Sequence, residues 1–128
     1  MEGSVDGFKG DLKQFQIAFF LKKFKEIMVE SRLRPVNRKN HQKSLASLGL
    51  TREECEKEIL SLTPENYCRG PVPDKDFGGE IWEFGTVVKG HEVYIKLKIA
   101  EVASEKFAKS ISFHPAEFPL CYPYKPSE

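Results

Sequence analysis

Glu83, His114, Arg69, Tyr94 and Lys96 are, between them, a set of side chains that can cleave RNA without a metal. RNA carries its own nucleophile, the ribose 2′-hydroxyl. Cleavage needs a base to take that proton, an acid to protonate the departing 5′-oxygen, and positive charge on the phosphorane between them. Glu83 is the natural base and His114 the natural acid, because imidazole titrates near neutrality. Arg69 can grip a phosphate with two donors, while Lys96 and Lys98 add point charges. Tyr94 can stack on a base or hydrogen-bond a phosphate.

These groups act together only if one surface presents them, and the hydropathy pattern supplies such a surface. Residues 79–85 place Glu83 opposite Trp82 and Phe84. Residues 92–99 place Tyr94, Lys96 and Lys98 opposite Val93, Ile95, Leu97 and Ile99. Residues 110–114 place His114 opposite Ile111 and Phe113. Strand side chains point alternately to the two faces of a sheet. If the apolar sets line one core, then Glu83, Tyr94, Lys96, Lys98 and His114 share the opposite face. Singly, each fits a structural role as well: lysines guard sheet surfaces, and an exposed glutamate or a strand-end histidine needs no task. The combination carries the functional reading. His41 and His91 fall on a helix surface and in a hairpin turn, and neither is given a role.

The elements that must position this set follow from period and punctuation. Asp11–Glu30 reads as a helix, with Leu12, Phe15, Phe19, Phe20, Phe24, Ile27 and Met28 at spacings of three and four. That stripe is expected in the core. Residues 1–10 read as a loose start. Residues 31–39 read as a basic connector broken at Pro35. His41–Leu48 is a short helix stopped by Gly49. Thr51 and Glu54 form a capping box for the next helix, whose Cys55, Ile59, Leu60 and Leu62 face inward. Thr63-Pro64-Glu65-Asn66 starts one more helical turn.

Arg69–Gly79 is rich in Gly and Pro and reads as a loop. Lys89-Gly90 is a hairpin turn between two alternating runs. Ala103–Lys109 is a polar connector to the last strand. Helices first and an antiparallel meander after them predict one α+β domain over 1–128, with helices on one sheet face. The tail, 115–128, holds four Pro and three aromatic residues. It should lie extended on the surface or over a groove.

Composition agrees with a single globular domain. The chain has 128 residues, 40% hydrophobic and 30% charged, with ten Phe. No apolar run is long enough to span a bilayer, and the start lacks an export pattern, so a cytoplasmic location without membrane contact is expected. Cys55, Cys68 and Cys121 contain no C-x-x-C pair and read as reduced thiols rather than a disulfide frame or zinc site. Net charge is only +1. Between Lys22 and Lys43, however, eight residues are basic and two acidic. Lys22, Lys23 and Arg38 in that run are candidates to hold an RNA backbone. No H-E-x-x-H, G-x-S-x-G, Walker or Rossmann pattern occurs, and no metal or cofactor is expected.

From Phe20 to Ala116 the sequence resembles the MqsR-type toxins of bacterial type II toxin–antitoxin systems, which have the RelE-like fold. The resemblance is carried by Leu48-Gly49-Leu50, Glu58–Thr63, Asn66–Arg69, Ile81-Trp82-Glu83, Val93–Leu97 and Ile111–His114. It implies a metal-independent mRNA interferase that cuts single-stranded mRNA, free or ribosome-bound, until a cognate antitoxin binds it. It implies site roles at Arg69, Glu83, Tyr94 and His114. Where the family has a polar amide, this chain has Glu83, and where it has a lysine, this chain has His114. Both changes move the set toward an ordinary acid–base ribonuclease, of the kind that RelE-like relatives outside the subfamily use. A non-catalytic RNA- or protein-binding module, or a degenerate toxin kept for its antitoxin contact, are the alternative expectations.

Overall fold

A computed structural model describes residues 2–126, with side chains described from Leu12 onward. The described chain runs α1 (Glu2–Ser31), β1 (Leu33–Pro35), α2 (Arg38–Leu48), α3 (Arg52–Leu60) and a 3-10 turn (Pro64–Asn66). Four strands follow: β2 (Tyr67–Pro73), β3 (Glu80–Val88), β4 (His91–Val102) and β5 (Glu105–Pro115). They form one sheet in the order β1-β5-β4-β3-β2. All neighbours are antiparallel except β1, which runs parallel to β5. This is the expected α+β arrangement of helices against one face of a mostly antiparallel sheet.

Local signals place the ends of elements correctly. Gly49 stops α2 with φ 68°, a left-handed conformation that costs glycine little. Thr51 and Glu54 close the capping box of α3 reciprocally. Lys89 and Gly90 both take positive φ, 51° and 82°, and close the β3–β4 hairpin. Cys55 is fully buried as a small core residue, which pushes its thiol pKa up to about 12.

The core is one cluster between helices and sheet. Ile17, Phe20, Leu21, Phe24 and Met28 of α1 meet Trp82, Phe84, Ile95, Leu97 and Phe113 of the sheet. The Phe20 and Trp82 rings stack at 4.9 Å. Burying side chains of this size contributes about 1.5–3 kcal/mol each.

Several sequence expectations need correction. Leu12, Phe15 and Phe19 are 50%, 70% and 62% exposed rather than core. At about 100° per residue, Phe19 lies about 200° around the helix from Ile17. α1 is therefore apolar on two opposite sides, and a spacing of three and four cannot say which side is buried. Leu60 is likewise 41% exposed. The helical backbone reaches back to Glu2, through the stretch read as a loose start, and Met1 lies outside the described residues.

The basic connector contains β1, held by pairing to β5 from Ala108 to Ser110. The supposed polar connector after Val102 is a two-residue turn, Ala103 and Ser104, after which β5 begins at Glu105. Most consequentially, the Gly- and Pro-rich stretch is an edge strand rather than a loop up to Pro73. It pairs Tyr67, Arg69, Val72 and Pro73 with β3, with register shifts between. Prolines are tolerated there because an edge strand leaves one row of N–H positions unpaired.

Candidate active site

Register decides which side chains meet on the face that the helices leave open. Glu83 lies between Arg69 of β2 and Lys96 of β4, and Tyr94 lies between Gly85 of β3 and His114 of β5. Directly opposed residues share a face. Four adjacent strands thus bring Arg69, Glu83, Tyr94, Lys96 and His114 onto one surface; the alternation predicts this for all but Arg69, which the sequence places in a loop.

Glu83 is the centre of this cluster. One carboxylate oxygen accepts from Arg69 Nε at 3.0 Å and the other from the Tyr94 hydroxyl at 2.7 Å. The residue is only 7% exposed, so its charge is screened by these partners more than by water. It is not the open, unpartnered base that the sequence suggests. Arg69 reaches it through Nε alone and keeps 64% of its side chain exposed. Its terminal nitrogens therefore remain for an incoming anion. Burial and the bond to Glu83 together raise the Tyr94 pKa well above the usual tyrosine range. Tyr94 consequently stays a protonated donor at neutral pH.

His114 completes the other side. Its ring lies 5.5 Å from that of Tyr94. Nδ1 is 2.9 Å from the Pro115 carbonyl oxygen. A carbonyl only accepts, so Nδ1 carries the hydrogen and Nε2 is left to exchange a proton. The Lys96 ammonium sits 5.7 Å from the centre of the Tyr94 ring, over the same patch.

Other expected residues are placed elsewhere. Lys98 is buried and bonded to Asp74 at 2.7 Å, at the far end of the open face. It is therefore not a spare charge for RNA. Lys22 and Lys23 project from α1 in the helical layer, with the Lys23 ammonium over the Phe19 ring at 5.6 Å. Neither joins the cluster. Arg38 is the first residue of α2, beside β5 rather than on the open face. Among the described residues no group of histidine, cysteine and carboxylate side chains has metal-binding geometry.

The structure adds residues that the pattern missed. A bulge leaves Ile111 without a partner, since Lys96 pairs with Ser112 and Leu97 with Ser110. Ser112 stays on the open face with His114, as the alternation places it, while Ser110 turns to the helical side and is 2% exposed. Period-two alternation cannot reveal a bulge in advance. Cys68 lies near Glu83 and Glu92, and burial with those carboxylates pushes its thiol pKa up to about 12. The proline-rich tail crosses the open face. Glu92 accepts from the Leu120 N–H at 3.1 Å and from the Tyr122 hydroxyl at 2.7 Å. A Cβ at Gly85 would come within 2.5 Å of Leu120 and 2.6 Å of Tyr122. Gly85, the partner of Tyr94, thus leaves room for the Leu120 and Tyr122 side chains beside the cluster.

A family model described as motility quorum-sensing regulator, toxin of MqsA, matches residues 18–115. That span is about three quarters of the chain and contains every member of the cluster; the tail beyond Pro115 lies outside it. No curated protein and no solved structure matches the chain.

Proposed function

This chain belongs to the MqsR toxin family, the toxins of toxin–antitoxin systems, and from that premise we propose that it is an endoribonuclease that cleaves mRNA in the cytoplasm until an antitoxin protein binds it. One observation carries the reading: a single carboxylate, Glu83, holds both an arginine and a tyrosine at hydrogen-bond distance, on the face that also bears Lys96 and His114.

In this reading the scissile phosphate sits over Tyr94, between Arg69 and His114. Arg69 clamps two phosphate oxygens through its terminal nitrogens, and Lys96 adds charge to the phosphorane. The 2′-oxygen forms a bond to phosphorus while the bond to the 5′-oxygen breaks. The 2′-hydroxyl proton passes to the Tyr94 oxygen as the phenolic proton moves to Glu83. Glu83 thus acts as base through Tyr94, which accommodates its burial. His114 Nε2 protonates the departing 5′-oxygen. The products are a 2′,3′-cyclic phosphate and a 5′-hydroxyl end.

The test is cleavage of single-stranded RNA and of ribosome-bound mRNA, with end-group analysis, by wild type and His114→Gln in parallel. The expected result is cyclic-phosphate and 5′-hydroxyl ends from wild type and a loss on the order of 10²–10⁴-fold in the variant. Intact RNA with the wild-type protein, or equal rates in both, would remove this function or this role for His114.

A further inference from the structure

A second polar crevice lies round the edge of β5 from the cluster. β1 ends at Pro35, so β5 beyond Ser110 has no strand on that side. α2 packs there instead, and a cavity of about 240 Å³ opens between helix and strand. One liquid water occupies about 30 Å³, so the space exceeds that of a single water. α2 contributes Asn40, His41 and Ser44, and β5 contributes Ser110, Ser112 and His114.

Its chemistry is that of an anion site. Its lining contains no carboxylate among the described residues. Asn37, the N-cap of α2, also lines it, so the positive end of the helix dipole lies at the crevice. α2 has no acidic residue in its first turn, and Arg38 and Lys39 follow the cap. The Ser110 hydroxyl is buried in this wall and has no hydrogen-bond partner among the described residues. A buried, unpaired hydroxyl is costly, and an acceptor would remove the cost. His41 is half-buried, and burial, then Arg52, lowers its pKa. It meets a ligand as a neutral imidazole with a single N–H donor.

We propose that this crevice is a second phosphate subsite, which binds an unreacted phosphodiester of the same RNA strand that the cluster cuts. It rests on the ribonuclease reading above. His114 belongs to both places, which sets the order of the strand: the leaving-group side of the scissile bond continues past His114 and Ser112 toward the start of α2. The subsite makes affinity depend on strand length, because a substrate of two nucleotides has no second phosphate to offer.

The probes are single-stranded 2′-O-methyl RNAs of two and of six nucleotides, which bind without being cut, titrated by fluorescence anisotropy at fixed salt. Asn40→Asp puts a carboxylate in the crevice and suits the first turn of a helix. Gln42→Glu makes the same charge change on an exposed position that does not line it. The wild type should bind the longer strand more tightly. Asn40→Asp should remove about tenfold of that advantage, and Gln42→Glu less than twofold. Ser110→Ala, which removes only the unpaired hydroxyl, should weaken the longer strand about threefold without lowering the melting temperature. If wild type cleaves RNA but Asn40→Asp and Gln42→Glu behave alike, the subsite is wrong and the ribonuclease reading stands. If wild type neither binds nor cleaves RNA, both fall.

Discussion

Two cation–carboxylate pairs stand on the open face of this sheet, and they differ in what they leave over. Asp74 and Lys98 bond at 2.7 Å, with side chains 11% and 9% exposed. Glu83 and Arg69 bond at 3.0 Å, but the arginine remains 64% exposed. The Lys98 ammonium is buried together with its carboxylate, so its remaining N–H donors have little access to a ligand. An arginine can be held by Nε while its outer nitrogens face a ligand. Glu83 also reaches Tyr94, whereas the further partners of Asp74 are backbone N–H groups of its own turn. One pair pins a loop to a strand. The other arranges two side chains for use.

The difference is broken most severely by substituting the two carboxylates in turn. Glu83→Gln should lower the RNA cleavage rate on the order of 10²–10⁴-fold with the circular dichroism spectrum unchanged. Asp74→Asn should leave that rate within about twofold, since it lies outside the cluster. Comparable losses would mean that both pairs serve only the fold. Tyr94→Phe should match Glu83→Gln if the proton passes through the phenol, and a much smaller loss would assign the base role to Glu83 directly.

Arg69→Lys sharpens the same comparison at the cation. It keeps the charge beside Glu83 but loses the fork, so cleavage should fall roughly tenfold or more. The loss should be read as single-turnover rate at saturating RNA, and wild-type behaviour would show that only charge matters there.

Gly85→Ala tests the ground between the pairs and the tail. The added methyl meets Leu120 and Tyr122 at impossible distances. Those contacts are with side-chain ends, so the tail's side chains must move aside. Limited proteolysis should then cut within residues 117–126, where wild type resists; equal resistance would show that the tail adjusts without leaving.

The smallest effect is on the acid side. The bond from Lys98, then the backbone N–H groups of Phe77 and Asp76, hold the Asp74 carboxyl below the usual carboxylate range. A depressed folded pKa contributes stability that is present above the unfolded value, about 4, and is lost as pH falls through the folded value. Asp74→Asn should therefore be less stable at neutral pH and lose less on acidification below about pH 4. Denaturant titrations at both pH values check this, and parallel pH profiles would exclude the pair as a contributor.

Much of the candidate site was legible because it rests on a local rule. Alternation along β3 and β4 fixes the side of Glu83, Tyr94 and Lys96 with no knowledge of the partner strand. The same is true of His114 at the end of β5. Capping at Thr51 and the turns at Gly49 and Gly90 are equally local, and all appear as read.

What failed depends on partners distant in the chain. Arg69 looks like a loop residue until β3 pairs with it, and Lys98 looks available until Asp74 turns toward it. Phe15 and Phe19 have the same spacing as buried residues, and only the position of the sheet leaves them outside. Ser110 and Ser112 lie on opposite faces because of a bulge that pairing with β4 creates. The sequence by itself determined which side chains face the same way within each strand, because backbone geometry enforces that residue by residue. Only the tertiary structure decided which of them touch, which charges are already paired and where the tail lies, because those outcomes depend on register between segments that the chain brings together from far apart.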